Sequence, residues 1–291
     1  MYVYKNGNYS VLIKNDGTKI RTTHFDEFIP DFAENVDVKL TDKCSIGCQF
    51  CYEGSTKEGR HGQVFYYNFI NNLHPYTEMA LNGNDLDHPD LILFLKHLKK
   101  KKVFANITVH QQQFLNNYEL IKKLKETKLI NGIGISLQYP SQDFINKVKS
   151  LKDTVLHVIN GILSKEVIEL LKNNDLKLLI LGYKDLQRGI NYKSKFAEQV
   201  KKNQQYLYDS LESMLSCFDI ISFDNLALEQ LNVKRLLSSE EWNNFYMGDD
   251  GKFTFYIDLV KGEFAKNSLS QERFPIEDKS IDEMFNIIKN K

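Results

Sequence analysis

The stretch "VDVKLTDKCSIGCQFCYEGS", residues 36–55, runs from a short apolar segment into three cysteines, Cys44, Cys48 and Cys51. The chain has 291 residues and four cysteines, the other being Cys217. The spacing is CxxxCxxC, and Gly47 beside Cys48 lets the loop bend sharply. Three readings compete. A structural zinc takes four ligands in a closed tetrahedron, with His61 as a fourth at an unusual distance along the chain. A redox dithiol needs one CxxC, here Cys48 and Cys51, and leaves the third thiol unexplained. A four-iron, four-sulfur cluster held by three thiolates leaves one iron open to a further ligand, as a catalytic zinc keeps an open position. Three thiols at this density favour the cluster.

The run at 36–40 is the first of six. "EMALN" (78–82), "VFANITV" (103–109), "GIGISL" (132–137), "VLHVI" (155–159) and "LKLLIL" (176–181) follow. Helix-like segments lie between them, among them "DLILFLKHLKKKK", "FLNNYELIKKLKET", "QDFINKVKSL" and "SKEVIELLKNN". This alternation implies βαβ units and a parallel sheet. Six strands in sequence suggest a barrel or partial barrel, with an open doubly wound sheet as the alternative. Loops after the strands of such a barrel form its active face, and the cysteines occupy the first of them. Ahead of the core, "KNGN" and "KNDGTK" mark tight turns of a small antiparallel meander. Beyond it, residues 193–218 predict one long helix and "IISFDNLAL" a seventh strand. "GDDGKFTFYIDLV" predicts a hairpin that turns on its glycines and aspartates, and Ser280 caps a last helix. The predicted division is a meander at 1–33, a core at 34–215 and an extension at 216–291 that completes the core.

Lysine plus arginine equals aspartate plus glutamate at 38 each, so no global charge pulls the protein toward nucleic acid or an anionic membrane. No apolar run approaches a membrane span, and "MYVYKNGNYS" is no signal peptide, so the expected location is the cytoplasm. Four cysteines are too few for a secreted disulfide framework.

The cysteine loop resembles the signature of the radical S-adenosylmethionine superfamily. That resemblance implies an α/β fold, a partial (β/α)6 TIM-like barrel, here with an N-terminal meander and a short C-terminal α+β extension. It implies a single [4Fe-4S] cluster on Cys44, Cys48 and Cys51, whose open iron is chelated by S-adenosylmethionine. It further implies reductive cleavage to a 5′-deoxyadenosyl radical that abstracts hydrogen from a substrate, and a small electron donor such as flavodoxin or ferredoxin. Phe50, before the last cysteine, takes the position of the residue beside the adenine. "ALNGNDLDHPDL" falls where the family has a Gly-Gly-Glu-type turn for the methionyl amine. Asn82, Gly83 and Asn84 occupy that turn, with an amide in place of the acid or the acid moved to Asp85. "GISLQ" offers Ser136 and Gln138 for the ribose, "VINGI" offers Ile159 and Gly161 near the adenine, and the sixth strand ends at Gly182. The resemblance covers about residues 36 to 185.

Other polar groups are open to two readings. Glu53, Arg60 and His61 belong to the open face or to a solvated loop. His110, Gln111 and Gln112 follow the third strand, and Tyr183 and Lys184 the sixth. Asp224, Asn225 and Glu229 bind substrate or cap a helix. Tyr256 and Asp258 read as ordinary strand alternation. Cys217 reads as a small buried apolar residue, and Lys99 to Lys102 as a solvated helix end. The substrate is a peptide or protein side chain, or a nucleotide-like small molecule. The meander is too small to resemble the winged-helix module that recruits precursor peptides, and residues 217–291 lack the cysteines of an auxiliary-cluster extension. The reading from another class is a non-catalytic metal-binding or redox protein using the same three cysteines.

Overall fold

The computed structural model describes residues 1–15, 17–82 and 85–291, with only the backbone of Asp85. Three strands, β1 (Tyr2–Asn6), β2 (Tyr9–Ile13) and β3 (Lys19–Thr22), form the expected antiparallel meander. The core strands are β4 (Asn35–Lys39), β5 (Glu78–Asn82), β6 (Phe104–His110), β7 (Gly132–Ser136), β8 (Thr154–Ile159) and β9 (Lys177–Leu181). They are followed by β10 (Ile220–Phe223), β11 (Thr254–Asp258), β12 (Glu263–Ala265) and β13 (Phe274–Pro275). These ten make one sheet in the order β10-β9-β8-β7-β6-β5-β4-β11-β12-β13. Every neighbour from β10 to β11 runs parallel, and β12 and β13 add antiparallel. The result is a mixed α/β fold around a large, mostly parallel sheet.

Alternation sorts the two faces of this sheet. Val36 and Val38, Met79 and Leu81, Ile107 and Val109, and Ile133 and Ile135 are buried in the main core. Helices supply the opposite wall of that core. In Leu91–Lys100 the buried residues are Leu91, Phe94, Leu95 and Leu98, the i, i+3, i+4, i+7 stripe of an amphipathic helix. Its basic end behaves as expected: Lys99 and Lys101 donate to the carbonyls of Thr127 and Asn71, each at 2.7 Å. The strand positions between the apolar ones, Asp37, Lys39, Ala80, Asn82, Asn106, Thr108, Gly132 and Gly134, face the other way and decide the character of the site.

The meander packs across the N-terminal ends of the core strands. Glu34, just ahead of β4, is buried and accepts from Tyr9 Oη at 2.6 Å, Arg21 Nε at 2.7 Å and Arg21 Nη2 at 3.1 Å. Lys19 pairs with Glu78, the first residue of β5, at 3.0 Å. Tyr2 meets Phe104, the first residue of β6, with ring centroids 5.2 Å apart, and Tyr9 meets Phe253 ahead of β11.

Two expectations are corrected. The hairpin at 248–260 turns later than its glycines and aspartates suggest. β11 lies parallel to β4, and its antiparallel partner is β12, reached through a turn in which Gly262 N–H bonds the Asp258 carbonyl at 2.9 Å. Asp258 itself builds that turn by accepting from the amides of Val260 and Lys261. Asp250 is occupied elsewhere: its carboxylate accepts from Asn225 Nδ2 at 2.7 Å and Asn267 Nδ2 at 2.6 Å, tying the segment after β10 to the segment after β12. The predicted helix at 193–218 is two helices, Arg188–Lys195 and Ala197–Met214, separated at Phe196. The last helix, Ile281–Lys289, carries the expected Ser280 cap, completed by Glu283. No described helix is long and apolar enough to cross a membrane.

Candidate active site

The cysteine loop is a folded excursion after β4. Cys44 N–H bonds the Thr56 carbonyl at 2.7 Å, and Thr56 N–H bonds the Asp42 carbonyl at 3.0 Å, so the loop closes on its own stem. Gly47 takes the left-handed conformation, φ 69°, which a residue with a Cβ adopts at a cost. Arg188 forks into the loop from outside: Nε donates to the Cys48 carbonyl at 3.0 Å and Nη1 to the Ser55 carbonyl at 2.8 Å. Burial, with Cys51 and Cys44 close by, pushes the Cys48 thiol up to about 11. A bound cation reverses that, since thiolates ligate and thiols do not.

Three cysteines on one loop are a donor set of the kind that holds an iron–sulfur cluster or, with a further ligand, a zinc ion. Among the described residues no group of three His, Cys, Asp or Glu side chains is already gathered around one point. A cluster places each thiolate on a different iron. His61, the candidate fourth zinc ligand, turns away: its Nδ1 lies 3.0 Å from Thr41 Oγ1 and its ring packs edge-on against His88.

Cys44, Cys48 and Cys51 open onto a cavity of about 570 Å³ to which each of the eight parallel strands contributes a residue. On β4 to β7 the inward positions are small or polar, while Val155 and Ile159 of β8 and Leu179 and Leu181 of β9 give the wall an apolar stretch. Ala80 presents only a methyl to the cavity, and the side chain of Asn106 lies over Gly132. A Cβ on Gly134 would sit 2.4 Å from the His157 ring, so the glycine makes room for that histidine.

Of the predicted cofactor residues, Phe50, Asn82, Ser136 and Ile159 share this cavity with the cysteines. Gly83 and Asn84 lie outside the described residues. Gln138 does not reach the wall and acts on it through His110, whose Nε2 is 3.1 Å from Gln138 Oε1. His110 Nδ1 accepts from the amide of Gln112 at 3.1 Å, which leaves the proton on Nε2 to donate to Gln138. Burial lowers the pKa of His110 and favours this neutral form. Gly182 lines the cavity, whereas Gly161 packs outside it against Val200.

The remaining candidates divide. Glu53 lines the cavity and pairs with Lys39 at 2.7 Å. Arg60 reaches the carbonyl of Val260 outside it. Gln111 accepts from the amides of Gln138 and Tyr139, and Gln112 bonds Asn116, so both serve local structure. Asp224 caps the helix Asn225–Gln230, accepting from Ala227 N–H at 2.8 Å and Gly182 N–H at 2.9 Å, and it also lines the cavity. Asn225 serves the Asp250 contact, and Glu229 is exposed. Tyr183 and Lys184 both line the wall. The Tyr183 hydroxyl donates to the Gly189 carbonyl, and the Lys184 ammonium donates to Ser268 Oγ at 2.9 Å while lying 4.1 Å from the Tyr52 ring centre. Tyr256, read as plain strand patterning, is a wall residue, while Asp258 holds its turn and lies 3.7 Å from Lys39. Cys217 lies outside the cavity, packed on the core with its thiol toward the Ser213 carbonyl.

Sequence reading missed Asp37, Lys39, Asn106, His157 and Arg188. The first four are the inward positions of strands that were located correctly, and strict alternation would have marked them. Arg188 carries no local signal.

No family model matches the chain, and no curated protein matches its sequence. Three solved structures of Streptococcus suis SuiB share its fold. The one bound to S-adenosylmethionine superposes with a TM-score of 0.57 at 15% identity, over 90% of this chain and 68% of that one. The one bound to precursor peptide SuiA gives 0.56 at 15% identity, over the same shares. A third gives 0.57 at 13% identity, over 90% and 69%.

Proposed function

We propose that this chain is a radical S-adenosylmethionine enzyme on a partial (β/α)6 barrel, with Cys44, Cys48 and Cys51 holding a single [4Fe-4S] cluster. One observation carries the reading: the three cysteines sit on the loop after the first parallel strand and open onto the cavity that all eight parallel strands line. A single cavity shared by so many strands suits a curved sheet. The fold likeness to SuiB, which has been solved with S-adenosylmethionine, supports it. When bound, the cluster and S-adenosylmethionine supply a 5′-deoxyadenosyl radical.

The chain's own residues bind and orient. Arg188 fixes the carbonyls of the cysteine loop. Phe50 and Ile159 offer apolar surface to the adenine, Ser136 a hydroxyl to the ribose, and Asn82, with Gly83 and Asn84, polar groups to the methionyl end. His110 and Gln138 set the polarity of the wall beside Ser136. The substrate we favour is a peptide side chain, because the fold is shared with a protein solved bound to a precursor peptide. A small donor such as flavodoxin or ferredoxin supplies the electron, in the cytoplasm. The division at 1–33, 34–215 and 216–291 belongs to the same reading.

The test is anaerobic reconstitution with iron and sulfide, then S-adenosylmethionine and a strong reductant. The expected result is about four irons and four sulfides per chain and 5′-deoxyadenosine, all lost when the three cysteines are changed to alanine. Stoichiometric zinc without sulfide, or equal 5′-deoxyadenosine from the alanine variant, overturns the proposal.

A further inference from the structure

The deep end of the cavity, away from the cysteines, holds a carboxylate with no ion-pair partner among the described residues. Among the described residues four acids line the cavity: Asp37, Glu53, Glu78 and Asp224. Three are satisfied. Glu53 is paired with Lys39, Glu78 with Lys19 and Asn106, and Asp224 with two backbone amides. Asp37 takes one long hydrogen bond, 3.4 Å, from Asn35 Nδ2 on its own strand. The field of Lys184 reaches Asp37, but that ammonium is committed to Ser268 and the Tyr52 ring. Glu78 and Asp250 add negative field, and Tyr52 and Tyr256 stand near it. Burial raises the Asp37 carboxyl to about 6.

Strand register places Asp37 in one row with Tyr256, Ala80, Asn106 and Gly132. Ala80 leaves space beside Asp37, the Asn106 side chain lies over Gly132, and Tyr256 bounds the row on the other side. An anion there would meet like charge from Asp37 and Glu78. An apolar group would leave a carboxylate desolvated and unpaired, which is costly. A cation with N–H donors answers both, and an aromatic neighbour adds to its binding.

We propose that Asp37 anchors an ammonium or guanidinium group of the substrate at the deep end of the cavity. The assignment rests on the proposed function for what reacts nearer the cysteines, but it is tested on protein without metal, so the two fail separately. The measurement is the titration of the Asp37 carboxyl by carbon-13 NMR in aspartate-labelled protein, with the resonance identified by its loss in Asp37→Asn. Should that variant not fold, the carboxyl is assigned through its own backbone amide in the unaltered protein. The titration is run free, with n-butylammonium, and with n-butanol at matched ionic strength. The expected result is a free pKa near 6, lowered by about one pH unit by butylammonium and unmoved by butanol. A free value near 4 would make Lys184 the built-in counter-ion and overturn the proposal. No response to butylammonium, or an equal response to butanol, would overturn it as well.

Discussion

Arg188 lies 140 residues beyond Cys48 in the chain, yet its guanidinium donates to the Cys48 and Ser55 carbonyls. Hydrogen bonds from a charged donor are worth about 1.5–3 kcal/mol each, enough to hold a loop in one geometry. Arg188→Met should therefore leave the fold intact and let the loop spread. Iron and sulfide retained after desalting should fall several-fold, with Arg188→Lys recovering only part because a single ammonium lacks the planar fork. Full retention in the methionine variant would show that the loop does not need the clamp. At this scale the sequence announced the three cysteines and concealed what supports their loop. Three cysteines within eight positions are a local signal, whereas one arginine among 38 basic residues is not. The polar loop after the cysteines misled in the other direction: Arg60 and His61 look available and are spent on Val260 and Thr41.

Among elements, β7 shows how local sequence makes space. Its pattern "GIGIS" buries Ile133 and Ile135 in the core and turns glycines toward the cavity. Gly134→Ala would place a methyl 2.4 Å from the His157 ring, an overpacking worth about 1–3 kcal/mol. A companion His157→Ala should recover most of that loss, a coupling that denaturant unfolding of the two single variants and the double variant measures. Strictly additive losses would mean that the ring swings clear. The six core strands were legible because each carries an apolar face with period two. The same alternation marks Asp37, Lys39 and Asn106 as inward. The parallel docking of β11 on β4 was illegible, because alternation is identical in a hairpin and in a parallel edge, and the two strands are far apart in the chain. The break at Phe196 has no glycine or proline to announce it.

For the whole molecule, two cavity groups pull stability in opposite directions with pH. Burial raises Asp37 to about 6 and lowers His157 to about 4. Between about pH 4 and 6 the folded chain keeps a proton on Asp37 that the unfolded chain releases, so this group's contribution is lost as pH rises. Over the same window the unfolded chain protonates His157 and the folded chain does not, so that contribution is lost as pH falls. Each amounts to at most about 3 kcal/mol, and in the unaltered protein they largely cancel. Urea unfolding of Asp37→Asn should show stability rising from pH 4 to 6, and that of His157→Gln should show it falling; slopes of one sign in both would refute this account. The meander was legible as three strands, but its place was not, since Lys19–Glu78 and Arg21–Glu34 are contacts that no local pattern encodes. The Asp250 contact has a similar origin. Along the sheet, neighbouring strands are stitched by ladders of backbone bonds. Between the end of β10 and the loop after β12 the contacts run through side chains: Asn225 and Asn267 meet on Asp250, and Lys184 reaches Ser268 beside them. A ladder parts only when many bonds break together, while each bond of this seam contributes about 1.5–3 kcal/mol on its own. Where the sheet is laddered, this joint is buttoned.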